Sequence, residues 1–183
     1  MPRVAPITGK TDVPAQHHHV VDAVVSVFGN VRGPFSMLLH SPALAERLLP
    51  LVTFFREDSV VEAPLRSVAI LAAVREREAA YVWAAQVAAA RRNGVKDTVI
   101  DLLRAKGDPA ALPADERDVV VYVRQLMRTN RAEQAVFDAL LKRHGVQWML
   151  EMTAAANYFA MLSGVVNAFE VAPPPDGDRL PHA

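Results

Sequence analysis

Residues 66–94 read RSVAILAAVREREAAYVWAAQVAAARRNG. Apolar side chains run through Val68, Ile70, Leu71 and Val74, a charged knot follows at Arg75-Glu76-Arg77-Glu78, and a second apolar run carries Tyr81, Val82, Trp83 and Val87. The pattern predicts two buried helices, over residues 65–74 and 80–92, meeting at a polar elbow whose charges face solvent. Pro64 opens the first helix, where a missing N–H costs nothing. The second is dense in alanine, from Ala84 to Ala90, which combines high helix propensity with side chains small enough for neighbouring backbones to approach. Gly94 supplies its C-terminal stop.

The helical period recurs on both sides of this pair. An apolar run over residues 20–28 stops at Gly29-Asn30, and Ser41-Pro42 offers an N-cap and first residue for a helix reaching about residue 55. Beyond Gly94, Asp97 is placed to cap a short helix over 98–104, and Lys106-Gly107-Asp108-Pro109 forms a turn. Further helices are expected over 113–128, with Asp115 and Glu116 in the first turn, over 132–144, closed by Gly145, and over 148–169. The last is the most apolar, but Glu151, Asn157 and Asn167 interrupt it. An acidic residue at a bilayer centre costs about 2.5–3.5 kcal/mol, so this helix is expected at the heart of a soluble oligomer. Together these segments predict an all-α fold of about seven helices in a single domain over 20–171. An extended arm (1–19) precedes it and a mobile Pro-rich tail (172–183) follows.

Composition narrows the function. Twenty basic and twenty acidic residues cancel, so no basic excess exists to neutralise phosphates and a nucleic-acid partner is not expected. Cysteine is absent, which excludes disulfides, thiolate nucleophiles, thiolate metal sites and any peroxidase that works through a cysteine pair. The first sixteen residues lack the apolar core of a secretory signal, so a cytoplasmic address is expected. His17, His18 and His19 do not form a metal site in a helix, because consecutive residues point about 100° apart. Neither a metal nor another cofactor is indicated.

Several motifs in order carry a family resemblance. Gly33-Pro34-Phe35 stands with Leu38-Leu39-His40-Ser41-Pro42, followed by Arg66, Ala69-Ile70-Leu71, Tyr81-x-Trp83, Ala88-Ala89 and Gly94-Val95. Near the end come Leu150-Glu151, Asn157-Tyr158, Met161-Leu162 and Asn167-Ala168-Phe169. In this order and spacing, over residues 20–171, the chain resembles the carboxymuconolactone decarboxylase family. The resemblance implies the all-helical fold shared with alkylhydroperoxidase D, assembly into homo-trimers or homo-hexamers, and a pocket beside the motif helix near a subunit interface. The thiol peroxidase branch carries Cys-x-x-Cys and then His at positions that correspond here to Ala79, Val82 and Gln86. The decarboxylase-like branch reads Tyr-Glu-Trp-x-x-His after Arg-Glu-Leu, where this chain has Tyr81-Val82-Trp83-Ala84-Ala85-Gln86 and Arg66-Ser67-Val68.

Those replacements remove the proton-handling groups from the helix pair, since valine has nothing to titrate and a glutamine amide exchanges no proton near neutral pH. Two groups remain as catalytic candidates: Tyr81, and His40 at the mouth of a loop before a helix. Gln86, Trp83, Val82, Arg75 and Tyr158 are candidate substrate-binding residues. Trp83 and Tyr158 have competing readings as core residues, and Arg75 as part of the solvated corner. Two functions follow. The first is a divergent decarboxylase-like enzyme for a small cyclic carboxylated or carbonyl-bearing metabolite. The alternative is a non-catalytic oligomer that binds a small ligand or another protein.

Overall fold

A computed structural model describes residues 2–181. Among them are nine α-helices and no strand: α1 (His18–Phe28), α2 (Pro34–Leu38), α3 (Pro42–Thr53), α4 (Ala63–Glu76), α5 (Ala80–Arg92), α6 (Asp97–Arg104), α7 (Ala114–Thr129), α8 (Gln134–His144) and α9 (Val146–Ala168). The all-α single-domain expectation holds. Helix α4 is the axis of the molecule, packed against α5, α6, α7 and α9, and every residue from 66 to 75 is buried. A helix without a polar face must be enclosed on all sides. Ala69, Ala72 and Ala73 let its neighbours close in.

The expected elbow lies at residues 77–79, with Glu78 in the left-handed region at φ 51°. Its charges are only in part the solvated corner that the sequence suggests: Arg77 and Glu78 are exposed, but Arg75 and Glu76 are not. Arg75 is 8% exposed; its Nε donates to the Arg104 carbonyl at 2.8 Å and its Nη1 to Glu78. Glu76 takes both nitrogens of the Arg128 fork at 2.8 Å, so α6 and α7 cover the first half of the corner.

Other boundaries shift for local reasons. The short α2 has too few residues for a periodic signal and is set by Gly33 and Pro34. Ser41 occupies the N-cap of α3 through its backbone, not its side chain. Asp97 is the first residue of α6, not its cap, and pairs with Arg91 at 2.8 Å. The arm lies on the body, burying Ile7 and Val13, with Ile7 N–H donating to the Ser36 carbonyl. His18 bonds the Val13 carbonyl and His19 pairs with Glu46, so the histidine run diverges. No helix of the described chain is long and apolar enough to cross a membrane.

Candidate functional site

Helix α5 presents two adjacent stripes to a cavity of about 670 Å³: Tyr81, Ala85, Ala88 and Arg92 on one, Val82, Gln86 and Ala89 on the other. Both stripes follow the three-to-four residue spacing of one helix face. The alanines leave the void that larger residues would fill. Val27 and Phe28 of α1, Phe35 of α2, Val52 of α3, and Phe159 and Leu162 of α9 supply apolar walls. The charged part of the lining is cationic: Arg32, Arg56, Arg66 and Arg92, with Asn93 beside them. No carboxylate or imidazole among the described residues lines it.

Tyr81 is held by the backbone beneath its ring. Gly33 has φ 59°, and a Cβ added there would lie 2.2 Å from the tyrosine ring. The ring is 9% exposed, and among the described residues its hydroxyl has no hydrogen-bond partner. Burial pushes the phenol pKa up, against the opposing charge of Arg32. At neutral pH Tyr81 is therefore a proton donor and not a base.

Of the arginines outside the cavity, Arg3, Arg75, Arg91, Arg104, Arg117, Arg124, Arg128 and Arg143 each meet a carboxylate, whereas Arg47, Arg77, Arg131 and Arg179 form no such pair among the described residues. None of the four cavity arginines makes such a pair among the described residues. Arg66, 7% exposed, donates to the Val61 and Arg56 carbonyls. Arg56 reaches the Val27 carbonyl at 3.4 Å and lies over the Phe28 ring at 5.0 Å. Burial pushes the Arg56 guanidinium pKa down, and the charge of Arg92 pushes it further. Like charges thus share an apolar-walled space, balanced only from outside the lining by Glu57 near Arg56 and Glu151 near Arg66.

Of the residues singled out from sequence, Tyr81, Val82 and Gln86 meet in this cavity. The other four stand apart. His40 is exposed and bonds the Ala5 carbonyl at 3.0 Å, holding the arm. Arg75 belongs to the buried corner. Tyr158 is buried beside Phe55 and donates to the Leu48 carbonyl at 2.9 Å. Trp83, fully buried, turns its indole N–H to Asp178 at 3.1 Å. Sequence reasoning passed over Arg32, Arg56 and Arg92. One signal was there for Arg92: its neighbours at four residues are Ala88 and Lys96, whereas Arg104 has Asp101 at three. No cluster of residues suited to a metal occurs among the described residues.

This architecture is the alkylhydroperoxidase D-like fold. Two solved structures share it. One is an alkylhydroperoxidase core protein from Ralstonia eutropha JMP134, an uncharacterized peroxidase-related protein. It has TM-score 0.72 and 18% identity, covering 94% of this chain and 95% of that one. The other is a cysteine-to-alanine variant of the debrominase Bmp8 in complex with 2,3,4-tribromopyrrole, with TM-score 0.72 and 15% identity, covering 96% and 95%. No family model and no curated protein matches the sequence.

Proposed function

We propose that this chain is a decarboxylase-like enzyme acting on a small cyclic metabolite that carries a carboxylate, bound between the arginines and the α5 stripe. The unpaired arginine cluster carries this reading, because a cationic, apolar-walled space is complementary to a small organic anion. The size of the ligand is in keeping with the fold: Bmp8 holds a substituted pyrrole. Thiol chemistry is closed to a chain without cysteine.

Tyr81 is the catalytic group of this proposal and Gln86 the orienting one. The C–CO₂⁻ bond breaks, and its electron pair moves towards a conjugated carbonyl that accepts a hydrogen bond from the Gln86 amide. The phenol proton of Tyr81 then passes to carbon, and the phenolate, stabilised by Arg32, regains a proton from water. The guanidinium groups hold the carboxylate that remains or the developing enolate. His40 has no part in this scheme. In the same reading the chain self-associates, as a trimer or hexamer, across the exposed side of α9.

Ultraviolet assays of unsaturated lactone acids and heteroaromatic carboxylates test the proposal. Turnover is expected to fall about 10²- to 10⁴-fold in Tyr81→Phe, with ligand affinity retained. Arg92→Ala and Arg32→Ala are expected to weaken binding, and His40→Ala to change neither. The alternative, a binding protein without chemistry, is favoured by the absence of any carboxylate or imidazole from the described lining. Anion binding with no turnover across the panel would establish it.

A further inference from the structure

The C-terminal segment leaves α9, turns at Phe169 and Glu170, and runs back over α5. Three consecutive prolines, Pro173 to Pro175, stiffen it, and the Gly177 N–H closes a turn on the Pro174 carbonyl at 3.0 Å. Pro174 and Gly177 both line the cavity. The approach to α5 is close: a Cβ placed on Gly177 falls 2.8 Å from the Ala84 Cβ. A side chain at Gly177 fits against that alanine only if the segment shifts outward.

One residue fastens the segment. Asp178 Oδ1 accepts from Trp83 Nε1 at 3.1 Å and from Arg104 Nη2 at 2.7 Å, while Oδ2 accepts from Arg91 Nη2 at 3.3 Å. Its side chain is 16% exposed. No residue from 172 to 181 is fully buried; Leu180 packs against the core just beyond Asp178, and residues 173–178 are held by charge and hydrogen bonding at one carboxylate, which salt weakens and water can replace.

We propose that residues 173–178 form a movable wall of the cavity, latched by Asp178 on Trp83, Arg104 and Arg91, and that release of this latch sets the rate at which a small ligand enters and leaves. Asp178 is thus a positioning residue. The inference rests on the cavity and the segment over it, and is independent of the reaction proposed above.

The absence of native cysteine allows a direct test. In full-length protein carrying Ala84→Cys and Gly177→Cys, a disulfide would fix the wall after a small shift, since bridged Cβ atoms lie about 3.5–4.5 Å apart. The probe is 8-anilinonaphthalene-1-sulfonate, an anionic aromatic dye, followed by stopped-flow fluorescence. The oxidised protein is expected to load the dye at least about tenfold more slowly than the same protein reduced, the scale of one lost charge-assisted hydrogen bond. Equal rates in the two states would overturn the proposal. Hydrogen exchange supplies a reading that needs neither ligand nor disulfide. In Asp178→Ala, the amide of Gly177, which donates to the Pro174 carbonyl, is expected to exchange about tenfold faster, with those of α4 and α9 unchanged. Unaltered exchange there would equally overturn it. Absence of turnover with every substrate would leave both readouts standing and would count against the enzyme alone.

Discussion

At the scale of single residues, two tyrosines show how burial divides similar side chains into different roles. Tyr81 borders a void and keeps a hydroxyl without a protein partner, whereas Tyr158 is enclosed and donates to the Leu48 carbonyl. Burial pushes the Tyr158 phenol above its ordinary 10.0, with the charge of Arg56 opposing. The unfolded chain releases this proton first as pH rises, so the contribution is fully present below pH 10.0 and is lost as pH climbs towards the folded value. Urea unfolding at pH 8 and pH 11 should show Tyr158→Phe costing about 1 kcal/mol at the lower pH and a smaller difference, or a reversal, at the higher. Gly33 is the second case. Gly33→Ala should destabilise by about 1–3 kcal/mol through collision with the Tyr81 ring. Combined with Tyr81→Ala, it should cost only the left-handed backbone penalty of about 1–2 kcal/mol, a non-additivity measurable by a double-mutant cycle.

At the scale of elements, α4 and α5 diverge although both are rich in alanine. The alanines of α4 meet other helices, and Ala73 is fully buried between them. Ala73→Leu should therefore lower stability by about 1–3 kcal/mol in chemical denaturation, since no space exists for three more carbons. Those of α5 at Ala85 and Ala88 meet the cavity. Leucine at Ala88 should leave stability within about 0.5 kcal/mol while obstructing the ligand, an outcome separable by combining unfolding with dye binding. Composition alone does not tell these helices apart. The elbow teaches a related lesson: Arg75-Glu76-Arg77-Glu78 has the look of a solvated run, and Arg77 and Glu78 are exposed, yet Arg75 is buried against the Arg104 carbonyl and Glu78, and Glu76 against the Arg128 guanidinium of α7.

At the scale of the whole molecule, the neutral balance of charge conceals segregation. Ion pairs engage ten of the twenty basic residues, and four of those without a carboxylate partner among the described residues collect at one cavity. A second asymmetry lies on α9, where Val146 and Leu150 are 76% and 69% exposed and Met161 adds to the same side. In the proposed assembly this side meets a second copy. Sedimentation at micromolar concentration should then show a trimer or hexamer, and Leu150→Glu should shift it towards monomer without changing the helical circular dichroism. A monomeric wild type would rule the assembly out.

The sequence by itself determined every helix but the short α2, their order and the pairing of residues 65–74 with 80–92, because periodicity and Gly or Pro stops are local properties. It also determined that no thiol takes part. Tertiary structure decided the rest: that Arg32, Arg56, Arg66 and Arg92 share one space, that His40 and Arg75 do not enter it, and that the tail lies over α5. These are meetings between residues as far apart as Trp83 and Asp178. Such meetings depend on how helices stack and where voids remain among them, and no local pattern of side chains records either.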